Sequence, residues 1–293
     1  MPSRPDTPAI TLRNLTLGYE RHPAVHHLSL RIEPGSMVAV VGPNGAGKST
    51  LIRALAGELA PLDGSLDGLV GHRIAWLPQH SGLDAGFPID VRGMVAMGLW
   101  HRTGALGRFT AEHRCLCDEA LAAVGLAGFE TRGLDTLSGG QLQRARFARL
   151  ILQDAPVVLL DEPFAAVDQR TTDELLTVLH RWQREGRTVV AVLHDLPQVR
   201  AHFPLTLLLA REPVAWGPTA EVLTAANWDR AQRLREPFDD QAGVCEASPA
   251  GTAAPPVPAA GHGLHHHGHG HAHGHGHDHA HDHHHAAAPE ARS

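Results

Sequence analysis

Residues 42–50 read GPNGAGKST, and Gly42, Gly47, Lys48 and Ser49 fall at the spacing G-x-x-x-x-G-K-[ST]. Those types at those offsets can hold a phosphate chain. Glycine lets backbone N–H groups close around phosphate oxygens where a Cβ would obstruct them. Gly42, Pro43, Asn44, Gly45, Ala46, Gly47, Lys48, Ser49 and Thr50 are therefore expected to cradle the phosphates of a nucleotide. Lys48 would reach the β- and γ-phosphates and Ser49 would ligate Mg²⁺, while a helix starting there would point its positive end at the anion. Downstream, residues 157–162 read VVLLDE, four apolar residues ending in two carboxylates. Acids at the end of a buried parallel strand face the crevice where such sheets bind ligands. Asp161 suits the Mg²⁺ water shell, and Glu162 suits polarising an attacking water. Alone, such a pair is usually a solvated strand end; the phosphate loop upstream gives it a chemical reading.

The elements that must position these residues are legible as changes of period. Ile10, Leu12, Leu15 and Leu17, then Leu28, Leu30 and Ile32, approximate the alternation of half-buried strands. SMVAVVG is a continuous β-branched run, the pattern of a strand covered on both faces. Lys48 to Leu59 has helical spacing. From about 88 to 154 apolar residues recur every three to four positions (Val91, Val95, Leu99; Leu116, Ala120, Leu121, Val124), which predicts a helical insertion. PVVLLDEP and RTVVAVLHD then return as short buried strands with helix-like sequence between them, the alternation that builds parallel sheets. LTLLLA and PVAWG predict a closing hairpin around Arg211-Glu212-Pro213, followed by helices in AEVL and NWDRAQRL. The expected fold class is α/β, a mixed parallel and antiparallel sheet with an inserted helical subdomain, over about residues 8–240.

Composition narrows the partners. The chain has 293 residues, a formal net charge of −6 and three cysteines. Its charges are interspersed, with no basic stripe to follow a phosphate backbone, so nucleic acid is not an expected partner. The odd cysteine count favours a reduced, cytosolic protein. The longest apolar runs fall far short of a bilayer span, so any membrane crossing would belong to another chain. From 246 to 293 Pro, Ala, Gly and His dominate, with too little apolar area to offset the entropy of ordering, and a disordered tail is expected. Fourteen of the 24 histidines lie there: His262, His265, His266, His267, His269, His271, His273, His275, His277, His279, His281, His283, His284 and His285. Neutral imidazole suits Zn²⁺, Ni²⁺, Cu²⁺ and Co²⁺, so these side chains are candidate zinc ligands.

The string Leu137-Ser138-Gly139-Gly140-Gln141, followed by LQRARFARLI, resembles the signature motif of ATP-binding-cassette (ABC) proteins. The other elements fall in that family's order over about residues 9–235. The resemblance implies a P-loop NTPase of ABC type, with ATP and Mg²⁺ as cofactors. It also implies that Ser138, Gly139, Gly140 and Gln141 of one copy close on the γ-phosphate held by another, giving a head-to-tail homodimer in the ATP-bound state. By the same resemblance, Tyr19 would stack on adenine and Gln79, in WLPQ, would sense Mg²⁺ and couple to the membrane partner. Asp168 would lie across the dimer interface, although the usual Ser-Ala-Leu-Asp is here Ala-Ala-Val-Asp. His194 would contact the γ-phosphate. The short span and the string DEPFAAVD also resemble bacterial zinc and manganese importers served by a periplasmic or extracellular metal-binding protein. The expectation is therefore an ATPase peripheral to the cytoplasmic face of a bacterial inner membrane, bound to integral permease subunits. Zinc is the expected cargo, with manganese second and nickel or cobalt third. A non-transport ABC ATPase with a metal-buffering tail is the alternative. A chromosome-structure ATPase would separate its two motifs by a long coiled coil, and only about ninety residues lie between Lys48 and Leu137 here.

Overall fold

A computed structural model describes residues 6–20, 22–79, 88–104, 107–165 and 167–234. In chain order, β1 (Ile10–Tyr19), β2 (His22–Ile32) and β3 (Met37–Val41) lead into α1 (Lys48–Leu55), then β4 (Asp63–Asp67) and β5 (Ile74–Leu77). The helical stretch holds α2 (Val91–Ala96), α3 (Trp100–Thr103), α4 (Ala111–Ala123) and α5 (Gly139–Gln153). After it come β6 (Val157–Asp161), α6 (Gln169–Arg184), β7 (Thr188–Val192), α7 (Leu196–His202), β8 (Leu205–Ala210), β9 (Glu212–Pro218), α8 (Thr219–Val222) and α9 (Ala225–Arg233). The His-rich segment and all its candidate zinc ligands lie outside the described residues.

The larger sheet has the order β5-β6-β7-β3-β8-β9, parallel except for the β8–β9 hairpin; a smaller antiparallel sheet has the order β2-β1-β4. β3, β6 and β7 carry apolar residues at nearly every position because each strand feeds two cores. Met37, Ala39 and Val41 join the core shared with α2, α4, α5 and α6. Val38 and Val40 join the core beneath β1, β2 and α1. One alternating strand therefore reads as a continuous run, since neither face is polar.

The sequence reading differs in detail at three places. In β1 the alternation slips between Leu12 and Leu15, where the pairing register shifts and Asn14 takes a left-handed φ of 46°, a bulge that returns Leu15 and Leu17 to the core side. α1 stops at Leu55 rather than Leu59, because Gly57 at φ 80° turns the chain out of the helix. β4 and β5 had no distinct signal: β4 is a polar edge strand reading DGSLD, and β5 is only four residues long.

Candidate functional site

Three neighbouring parallel strands, in the order β6-β7-β3, end together. Val40 pairs with Val192, and Val192 with Asp161, so the chain leaves all three strands at one level. The bonds Leu193 N–H to Val40 O (3.1 Å) and Glu162 N–H to Val192 O (3.2 Å) extend this alignment into the loops. The phosphate loop follows β3, the carboxylates end β6, and His194 follows β7. β5 is parallel to β6 and paired through Leu77 and Leu160, which delivers Gln79 to the same edge.

The loop from Gly42 to Gly47 has no space for extra side chains at its ends. A Cβ on Gly42 would come within 1.9 Å of the Leu209 carbonyl oxygen, and one on Gly47, at φ 88°, within 2.4 Å of Val25 Cγ2. Lys48 is buried and donates to the Gly42 and Pro43 carbonyls at 2.9 and 2.8 Å, so its ammonium lies along the loop. Burial pushes its pKa down, against the pull of Glu162 and Asp161. Ser49 Oγ donates to Asp161 Oδ1 at 3.3 Å. Asp161 is buried, which raises its pKa, and the nearby Glu162 adds to the rise, while the Ser49 hydroxyl, Lys48 and His194 oppose it.

Glu162 differs from its neighbour. Burial pushes its carboxyl up, but the hydrogen bond and charge of His194, the Gln79 side chain and Lys48 outweigh that and hold it below its ordinary value. His194 Nε2 lies 2.5 Å from Glu162 Oε1. The carboxylate is thus kept ionised as an acceptor, which is what a group that polarises water requires. Beside it is a cavity of about 250 Å³ whose walls include Gly42, Asn44, His194, Trp228 and Gln232.

Ser138–Gln141 form a separate group. Ser138 caps α5: its Oγ accepts from Gln141 N–H (3.3 Å) while Gln141 Oε1 accepts from Ser138 N–H (3.0 Å), a reciprocal capping box. No hydrogen bond joins these residues to the phosphate loop among the described residues. Their neighbour is Asp168, since a Cβ on Gly140 would sit 3.5 Å from Asp168 Oδ2. Asp168 caps α6, and its bonds from the Thr171 N–H and hydroxyl hold its carboxyl below the ordinary value. Arg144 of α5 donates to the Thr171 hydroxyl at 2.9 Å and pairs with Glu174, tying α5 to that cap.

Tyr19 is exposed, with the Arg53 guanidinium 5.6 Å from its ring centre and donating to its hydroxyl at 3.2 Å. Sequence reasoning missed Arg53, Trp228 and Gln232. Each meets the site only through folding, and no local spacing marks it.

Residues 25–165 match the family model described as ABC transporter. The manganese transport system ATP-binding protein MntB of Halalkalibacterium halodurans is 36% identical over 74% of this chain and 89% of its own length. The zinc transport system ATP-binding protein TroB of Treponema pallidum is also 36% identical, over 76% of this chain and 86% of its own. The chain belongs to the ABC transporter family, among its ATP-hydrolysing subunits. A solved ABC transporter in an inward-facing conformation aligns with this ABC ATPase at a TM-score of 0.70 and 30% identity, over 78% of this chain and 90% of the other. A dimeric bacterial ABC transporter cassette aligns at 0.64 and 25%, covering 72% and 98%. Among the described residues, the ABC ATPase has no helix long and apolar enough to cross a membrane.

Proposed function

We propose that two copies of this chain hydrolyse ATP at composite sites and drive a permease that imports a divalent transition metal, zinc first. The convergence of Gln79 and His194 on the Glu162 carboxylate, beside Lys48 and the Ser49–Asp161 pair, carries the reading. The phosphate-loop amides and Lys48 hold the β- and γ-phosphates, and Tyr19 receives the adenine ring on its exposed face. The Ser49 and Asp161 oxygens are hard donors side by side and fit Mg²⁺. When bound, Mg²⁺ neutralises charge on the phosphate oxygens. Glu162 accepts a proton from the attacking water, while His194 orients the carboxylate and faces the γ-phosphate. Ser138, Gly139, Gly140 and Gln141 begin a helix of 15 residues whose N-terminal amides suit an anion. They lie with Asp168 and, among the described residues, make no hydrogen bond to the phosphate loop of their own chain, which supports their serving a second copy.

Relatives named for manganese and zinc transport support a metal cargo, and those named for manganese favour manganese as the second reading. The histidines of the tail favour zinc. In the complex reassembled with its permease and extracellular binding protein, Zn²⁺ is expected to stimulate ATP hydrolysis more than Mn²⁺, Ni²⁺ or Co²⁺. Stimulation by Mn²⁺ alone would transfer the assignment to manganese, and stimulation by none would remove metal import.

The tail is proposed as a set of adaptable zinc sites outside the engine. No cluster of three or more His, Cys, Asp or Glu side chains placed to hold a metal occurs among the described residues. With four ligands to a tetrahedral site, fourteen histidines supply about three all-His sites, with Asp278 and Asp282 or water completing others. Deleting the chain after Gly243 is expected to remove most bound zinc in titration calorimetry while ATPase activity without zinc stays near the parent's. A truncated chain that keeps its zinc stoichiometry would refute the tail as the site.

A further inference from the structure

Among the buried polar side chains outside the phosphate loop, Gln143 of α5 reaches the residue that follows Glu162. Its side chain is buried, with Nε2 donating to the Pro163 carbonyl at 2.6 Å and Oε1 accepting from Arg146 Nη1 at 3.2 Å. The second bond settles the first. A guanidinium only donates, so the amide oxygen must face Arg146 and the amide NH₂ must face Pro163.

Pro163 follows Glu162, and Glu162 has a φ of 51°. A non-glycine residue persists in that left-handed region only where its surroundings hold it there. On the strand side, Glu162 N–H donates to the Val192 carbonyl, and Ala165 N–H closes a turn onto the Glu162 carbonyl, each at 3.2 Å. On the other side the Gln143 amide holds the next carbonyl. One turn further along α5, Phe147 stacks on Phe164, with ring centres 6.5 Å apart and planes 20° apart. The same helix thus grips two successive residues after Glu162, one by a directional bond and one by packing.

We infer that Gln143 is a positioning residue for Glu162. Its hydrogen bond fixes the left-handed turn that brings the carboxylate to His194. The inference rests on the reading of Glu162 as the group that polarises water. It gives α5 two tasks, because the helix whose N-terminus is proposed to meet the second copy's nucleotide also sets the glutamate of its own chain. Displacement of α5 on closure then reaches Glu162 through one bond.

Gln143→Glu separates positioning from packing. The side chain keeps its size and gains an ion pair with Arg146, but it sets a carboxylate oxygen against the Pro163 carbonyl. In the full-length chain, kcat is expected to fall roughly 10- to 100-fold, the loss typical of a displaced catalytic group. KM for ATP should stay within about twofold, since ground-state binding is untouched. The melting temperature should move by no more than about 4 °C. In a Glu162→Gln background the substitution should lower the residual rate no further, because two changes acting through one group do not add. A folded variant with kcat within about threefold of the parent, or with KM rising in step with the loss, would overturn the inference. So would an equal loss in the Glu162→Gln background. Should Gln143→Glu not fold, Gln143→Met, which lacks both donor and charge, is carried through the same measurements; if neither folds, Gln143 is a core residue and the inference falls. Parent-like turnover by Glu162→Gln alone would remove the reading of Glu162 itself, an outcome seen on a different variant.

Discussion

Glu162→Gln is expected to bind ATP as the parent does, to lose turnover by roughly 100- to 10,000-fold and to accumulate as an ATP-bound dimer. The amide keeps the size of the side chain and its contact with His194, which lies 2.5 Å away. It cannot accept a proton from water. The environment sharpens the expectation, because His194, Gln79 and Lys48 together hold the native carboxyl below its ordinary value despite burial. Those contacts stabilise a charge that the amide lacks, so the loss should appear in kcat rather than in KM. Size-exclusion chromatography with ATP should show the dimer, and a hydrolysis rate within a few-fold of the parent's would remove Glu162 from the reaction.

Lys48→Ala should act earlier, on binding as well as on rate. The ammonium is held along the loop by the Gly42 and Pro43 carbonyls, and phosphate charge is present before any bond breaks. Nucleotide affinity is expected to fall by roughly 10- to 100-fold, on the scale of one charge-assisted hydrogen bond lost from a desolvated site. Ser138→Arg should leave binding to one copy intact, since Ser138 caps α5 and, among the described residues, has no hydrogen bond to the phosphate loop. Equilibrium titration separates the two, and equal loss of ATP binding in both variants would contradict the division of labour.

The parts of the site legible in the sequence are those built from adjacent residues at strand ends. Gly42–Ser49, Asp161–Glu162 and His194 each follow a short apolar run, and parallel pairing at one level brings the runs' ends together. The mixed sheet and the helical stretch were legible for the same reason, through changes of period. Contacts between distant segments were not. The Gln143 bond spans 20 residues and the Arg53 bond to Tyr19 spans 34, and neither residue type at its position differs from an ordinary helical polar residue. β4 escaped notice because an edge strand facing solvent carries no hydrophobic pattern. Plain alternation in β1 does not show the bulge at Asn14 that shifts the pairing register between Leu12 and Leu15.

The central claim is that one copy's phosphate loop works with another copy's Ser138–Gln141, and a mixture tests it directly. Lys48→Ala retains a sound Ser138 region and Ser138→Arg retains a sound phosphate loop, yet either homodimer has no complete site. Mixed in equal amounts, half of the dimers pair the two variants and one of their two sites is whole. ATPase activity of about a quarter of the parent's is then expected if the sites act independently, against near zero for each variant alone. A mixture as inactive as its components, with mixed dimers demonstrated, would contradict the account.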